Sequence, residues 1–180
     1  ISRRFSAASP RLSGGLAANA AVTTNAVGNT ITAAVDGTSQ LSAGGDVEIA
    51  GASAARIDSA AVSLSGSLAG ALGAAVVDNT VTNTTKAYVD GTSAAQRAAL
   101  TRGDEVTIAA TSSTEVRSRA LGLTVGLVAA GAAVADSTVE GTTWAYLGAN
   151  AQVGQTAPVQ IRSLTVRASS TDVVDSTANA

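Results

Sequence analysis

Two pairs of carboxylates, Asp78 with Asp136 and Asp46 with Asp104, stand at matched places in the chain and are its nearest approach to reactive chemistry. Glycoside hydrolysis needs two such groups flanking a sugar bond, one to protonate the leaving oxygen and one to attack or to activate water. The sequence contains no His and no Cys. A Ser-His-Asp or Cys-His nucleophile therefore cannot be assembled. Each aspartate recurs because a much longer unit recurs, so both pairs read as solvated or turn carboxylates, and the chain reads as no enzyme. Calcium-binding β-rolls need closely spaced Gly-Gly-x-Gly-x-Asp runs. Gly44-Gly45-Asp46 is an isolated fragment of that pattern. Neither a metal nor a cofactor is expected.

A second set of residues suits contact rather than catalysis. Thr80, Thr82 and Thr84 form a Thr-x-Thr-x-Thr row, and Tyr88, Trp144 and Tyr146 share its parity. Thr rows on a flat face can order water, and an aromatic on a polar face can meet a sugar or a neighbouring subunit. The matched positions in the first copy are Thr24, Gly28 and Thr30, and in the third Thr138 and Thr142, which depart from a strict lattice. A solvent-facing strand rich in β-branched polar residues accounts for the row equally well. The three aromatics are expected to make a contact or to lie beneath a loop.

These residues sit in a sentence written three times. Ala74-Ala75-Val76-Val77-Asp78-Asn79-Thr80-Val81 leads to Ala87-Tyr88-Val89-Asp90-Gly91. It is matched upstream by Ala20 to Val27 leading to Val35-Asp36-Gly37, and downstream by Ala132 to Val139 leading to Ala145-Tyr146-Leu147-Gly148. Over Ala75 to Val89 the residues alternate. Ala75, Val77, Asn79, Val81, Asn83, Thr85, Ala87 and Val89 share one parity, and mostly polar, Thr-rich residues share the other. Period two with β-branched residues predicts a strand, and the parity holds in all three copies. Asn25 and Asn79 fall in one column, and Asn29 and Asn83 in another. A buried amide is costly unless it is hydrogen-bonded. Either these asparagines stack along the axis at solenoid corners, or they are exposed loop residues.

A second block follows each copy: Val47-Glu48-Ile49, Val106-Thr107-Ile108 and Leu164-Thr165-Val166, again apolar, polar, apolar. Asp36-Gly37 and Asp90-Gly91 predict tight turns with positive φ. Length differences gather between the blocks, at 38–43, 92–101 and 149–162, the last holding Pro158. The apolar run from Leu121 to Gly131, like its partner from Val62 to Gly73, is too short to span a membrane as a helix. Its glycines would weaken a helix, and Leu121, Leu123 and Val125 alternate, so strand is preferred to a buried helix.

Repetition at this period is the mark of a solenoid or array. The expected fold is all-β, a parallel β-helix-like solenoid of about three repeats of 54–58 residues, each holding roughly three coils of about 20 residues. Stacked long hairpins or a meander are the alternative. The expected boundaries are 1–15 for a leader or partial preceding unit, then repeats at 16–69, 70–127 and 128–180, the last truncated. Composition agrees with a thin cross-section. Apolar residues are 46% of the chain but mostly Ala and Val, and aromatics are 2%. Such small side chains fill a narrow space at native density but not a wide one. Charged residues are 13%, the net charge is −2, and no basic stripe with stacking aromatics points to nucleic acid.

The run AAVVDNTVTNTTKAYVDG followed by GDEVTIAATSSTEV resembles the repeats of very large bacterial surface proteins. These are the filamentous-haemagglutinin-like and leukotoxin-type filamentous adhesins, and the resemblance spans about Leu16 to the C-terminus. Ala34 departs from it where the other copies have Tyr88 and Tyr146, as does Gly148-Ala149 in place of Asp-Gly. The resemblance implies a secreted or surface-anchored β-rich shaft. The function it implies is structural and adhesive, outside the bacterial cell. Expected partners are further copies of the chain, end to end or side by side, and glycans or proteins of a host or cell surface. A glycan- or ice-binding module using the Thr/Tyr face is the alternative.

Overall fold

A computed structural model describes residues 2–8, 11–154 and 161–180, and among them every regular element is a strand. In chain order these are β1 (Ser2–Ala7), β2 (Arg11–Ser13), β3 (Leu16–Asp36), β4 (Gln40–Ser42) and β5 (Val47–Ser67). They continue as β6 (Gly70–Asp90), β7 (Ala98–Val125), β8 (Val128–Leu147), β9 (Ala151–Val153) and β10 (Ile161–Asn179). All pairing between these strands is parallel. One sheet runs β3-β6-β8. The other runs β1-β5-β7-β10, with β2, β4 and β9 attached. We call them sheet B and sheet A. The fold is the expected all-β, parallel-stranded, solenoid-like architecture.

The coil is larger than expected. Leu16 pairs with Gly70 and Gly70 with Val128, so each repeat contributes one strand to sheet B and one to sheet A, and makes a single turn of the stack. Among the long strands β3, β5, β6, β7, β8 and β10, register partners in adjacent coils lie 54, 58 or 59 residues apart. The expectation of three coils of about 20 residues per unit is therefore corrected to one. The reason is strand length. Alternation runs through most of the 21 residues in each of β3, β5 and β6, giving strands about 70 Å long at ~3.3 Å per residue. The coil is a flat loop folded across two facing sheets.

Composition dictates how the coil closes. At one end the sheets meet in tight turns, Leu68-Ala69 and Gly126-Leu127. The Ser67 hydroxyl accepts from the Ala69 and Gly70 amides and donates to the Gly15 carbonyl of the neighbouring turn. Leu121 to Gly131, read as strand, is thus strand, turn and strand. Here the sandwich is thinnest. A Cβ on Gly122 would meet the Ala132 carbonyl at 2.9 Å and one on Gly126 the Ser67 carbonyl at 2.8 Å, which is why glycine stands at both. The adjoining core is mostly alanine: Ala21, Ala61, Ala75 and Ala120 around Val77.

At the other end the coil widens. The start of β7 pairs with β4 and β9, adding a short third wall. Larger residues fill the added width: Val47, Ile49, Val89, Leu100, Val106 and Ile108. Of the two Asp-Gly turns, only Gly37 adopts positive φ, at 66°. Gly91 is required for space instead, because a Cβ there would overlap the Gln96 carbonyl and Arg97 Cα. Pro158 lies outside the described residues. β1 and β2 take the place of a preceding coil's strand in sheet A, with β1 along Ile57–Val62 and β2 along Ser65–Ser67.

Candidate contact surface

The register aligns like with like in columns about 4.8 Å apart along the axis. On the inner parity of sheet B every residue from Ala75 to Val89 named above is buried. The asparagines are inside, but at mid-strand rather than at corners. Asn25 Nδ2 donates to Asn79 Oδ1 at 2.8 Å, and Asn29 Nδ2 to Asn83 Oδ1 at 3.1 Å. Axial stacking satisfies only part of each amide. The rest is met across the sandwich, where sheet A presents hydroxyls. Asn79 Nδ2 donates to Ser59 Oγ and Ser118 Oγ at 2.7 and 2.5 Å, and Asn83 Nδ2 to Thr114 Oγ1 at 3.0 Å. Thr85 Oγ1 donates to Ser53 Oγ, which meets Ser112 Oγ. A polar seam thus runs between the alanine end and the aliphatic end. The sequence reading missed its sheet-A half. Ser53, Ala55, Ile57, Ser59, Ala61, Ser63 and Ser65 alternate as clearly as the sheet-B positions, and that signal would have revealed it.

The outer face of sheet B carries all six of the expected contact residues. Thr80 and Thr82 are exposed and Thr84 is half-buried. Thr84 stands between Thr30 and Thr142 in an unbroken column. Thr80 stands between Ala26 and Thr138, and Thr82 between Gly28 and Glu140. Nearer the wide end the next columns are Thr32-Lys86-Trp144 and Ala34-Tyr88-Tyr146. Tyr88 and Tyr146 stack with centroids 5.0 Å apart and planes 7° from parallel. Lys86 Nζ lies over Trp144, 5.0 Å from its ring centroid, a cation–π pair. Trp144 remains 52% exposed. The aromatics therefore pack on the neighbouring coil, and Trp144 keeps a large part of its surface for solvent or a ligand.

Burial, the neighbouring Tyr88 and the Asp90 carboxylate together push the Tyr146 hydroxyl above the usual tyrosine range. The folded state then holds its phenolic proton more tightly than the unfolded chain does. The associated stability is present below pH ~10 and is lost as pH rises through the folded value. Ultraviolet titration should show one tyrosine ionising late, and Tyr146→Phe should abolish that late step. A late step that survives the substitution would contradict the assignment.

The carboxylates are placed as follows. Asp78 and Asp136 are register neighbours in one column with Thr24, exposed on the open face of sheet B. Asp46 Oδ1 accepts from the Glu105 amide at 3.1 Å, and Asp104 pairs with Arg162 at 3.3 Å. Among the described residues no three His, Cys, Asp or Glu side chains are grouped to hold a metal ion. The outer face of sheet A carries a charge cluster absent from the sequence reading: Glu115 pairs with Arg56 at 2.6 Å and Arg117 at 2.8 Å. Such partly exposed pairs contribute at most about 1 kcal/mol. A shallow groove on sheet B is lined by Ala18, Leu72, Gly73, Ala130 and Gly131. No helix among the described residues is long and apolar enough to cross a membrane. Compared with known protein families, curated proteins and solved structures, the chain matches none.

Proposed function

We propose that this chain is a structural and adhesive segment of a bacterial surface or filament protein, working outside the cell as a stiff shaft that presents repeated contact faces. The observation that carries the reading is the register. Three coils repeat outer-face columns at a fixed axial step, while hydrogen-bond ladders in both sheets and the interior amides tie each coil to the next. Such a stack resists bending and extends by ~4.8 Å per coil. Weak contacts repeated along it act multivalently, so modest single-site affinity becomes firm attachment. The resemblance of the repeats to filamentous adhesins supports an extracellular, non-enzymatic role. On this reading Asp78 and Asp136 are solvated column residues, while Asp46 caps the Glu105 amide and Asp104 pairs with Arg162.

One observation favours a second reading, a glycan-binding face. Trp144 is a half-exposed indole beside Lys86, with the Thr30-Thr84-Thr142 column on the same face. A glycan array separates the two. A specific sugar signal that Trp144→Ala lowers at least tenfold supports a dedicated lectin face. Attachment to surfaces that survives this substitution, and falls only when the chain is presented as single copies, supports the multivalent shaft.

A further inference from the structure

At the narrow edge of the coil, beside the turns, the ordinary pattern of a sandwich is inverted. On sheet A the outward positions there are Val62 and Leu64, aligned in register on Leu121 and Leu123. On sheet B they include Leu72 and Val134. Inward positions between them carry hydroxyls instead. Ser63 and Ser65 have no exposure, and donate to the Asn19 and Leu72 carbonyls across the sandwich. Leu68 and Leu127 stand at the turns themselves, 76% and 88% exposed. From Ser59 to Val77, and again from Ala120 to Ala135, the chain has no charged residue. The edge is therefore a ridge, apolar at its crest and on both flanks over ~20 Å of strand at ~3.3 Å per residue. Its side chains point away from the stacking axis. A further coil at either end would lie beside them and lengthen the ridge without covering it.

Apolar side chains outside with hydroxyls inside is the alternation of strands that face lipid. We infer that this edge is a membrane-docking surface, which inserts its crest into the hydrocarbon of a bilayer with the stacking axis parallel to the membrane plane. Three features favour lipid over a protein partner. The ridge is convex with two apolar flanks, and a flat partner covers one flank at a time, whereas a fluid covers both. Its outward positions hold only Leu, Val, Ala and Gly, with none of the Trp, Tyr or Arg that anchor protein interfaces. Its backbone also suits an apolar phase, where an unpaired main-chain group is costly. β6 is laddered on both edges, to β3 and to β8. At the turn the Ser67 hydroxyl accepts from the Ala69 and Gly70 amides, and the Ala69 carbonyl accepts from the Val128 amide. The first charges back from the crest are Arg119 on sheet A and the Asp78–Asp136 column on sheet B. They set the limit of entry, because a charge inside the hydrocarbon is costly.

The inference rests on one coil per repeat and not on adhesion. The test uses the full chain with vesicles of dioleoylphosphatidylcholine, which carry no net charge. The chain should float with them in a density gradient equally at low and high salt, because salt screens charges and not apolar burial. Leu68→Asp with Leu127→Asp, both at exposed crest positions, should lower the bound fraction at least tenfold. Ala95→Asp, in the loop at the opposite edge, should leave it unchanged. A second measurement reads orientation, since the chain has no Cys and a single Trp. A fluorophore on Leu127→Cys should be quenched by phosphatidylcholine brominated on its acyl chains, and Trp144, toward the wide edge, should not. Three results would each overturn the inference. One is equal quenching of Trp144 and the label. Another is binding confined to anionic vesicles and removed by salt. The third is no flotation, whether the chain stays monomeric or pairs side by side through a contact that the crest variant abolishes.

Discussion

Deleting Thr80 should abolish the cooperative unfolding transition, whereas deleting Ala95 should lower stability by about 1 kcal/mol or less. Thr80 lies in the middle of β6, which pairs on both edges, with β3 and with β8. Strand side chains alternate with period two, so removing one residue sends every position on one side of the deletion to the opposite face. Val81, Asn83, Thr85, Ala87 and Val89, all buried, would turn outward, or Asn79, Val77 and Ala75 would. Neither outcome is repairable, because the tight turn at one end and the Asp90–Asn150 contact at the other fix the strand's length. Ala95 belongs to the segment between β6 and β7, whose counterparts before β4 and β9 differ in length. Surface connections tolerate such changes. Thermal denaturation followed by circular dichroism measures both. Two deletions with equal effects would contradict the parity on which the fold is built.

The second large effect belongs to the interior seam. Asn79→Ala should destabilise the chain by about 3 kcal/mol, far more than the same truncation at exposed Thr80. Asn79 accepts from Asn25 and donates to Ser59 and Ser118, at a position with no exposure. Truncation leaves an amide and two hydroxyls short of partners, at about 1–3 kcal/mol for each group left unsatisfied, partly offset by the hydroxyls pairing with one another. It also opens a void about the size of an amide. Thr80→Ala removes a solvated hydroxyl and should stay within about 0.5 kcal/mol. Urea denaturation of the two variants provides the comparison. Equal midpoints would mean that the seam is not buried in solution.

Much of this architecture is legible in the residues, and the reason is periodicity. Alternation from Ala75 to Val89 identifies the inner face because each strand is buried on one side only. The shared columns of Asn25 with Asn79, and Asn29 with Asn83, follow directly from matching the copies. Coil size was not legible in the same way. Alternation reports which face is inside but not where a strand ends, and nothing between Leu16 and Asp36 breaks the pattern for a shorter coil to use. The cross-sandwich partners were hidden for a different reason. Ser59 on β5 and Ser118 on β7 meet Asn79 only once sheet A folds over β6, and for Ser59 that depends on the turn at Leu68-Ala69, which carries neither Gly nor Pro to announce it. The six contact residues share an outer face by parity alone. The pairing of Lys86 with Trp144 needed the 58-residue register that the repeat alignment contains.

The claim on which everything rests is that one repeat makes one coil, so that residues 54–59 apart touch. The most direct check is a solution NMR measurement of proton–proton contacts from the Asn79 side-chain amide. One coil per repeat predicts cross-peaks to Asn25 and to Ser118, together with backbone amide contacts in parallel register such as Val76 with Val22 and Val134. Contacts instead at sequence separations near 20 throughout both sheets, or an antiparallel pattern between the copies, would contradict it.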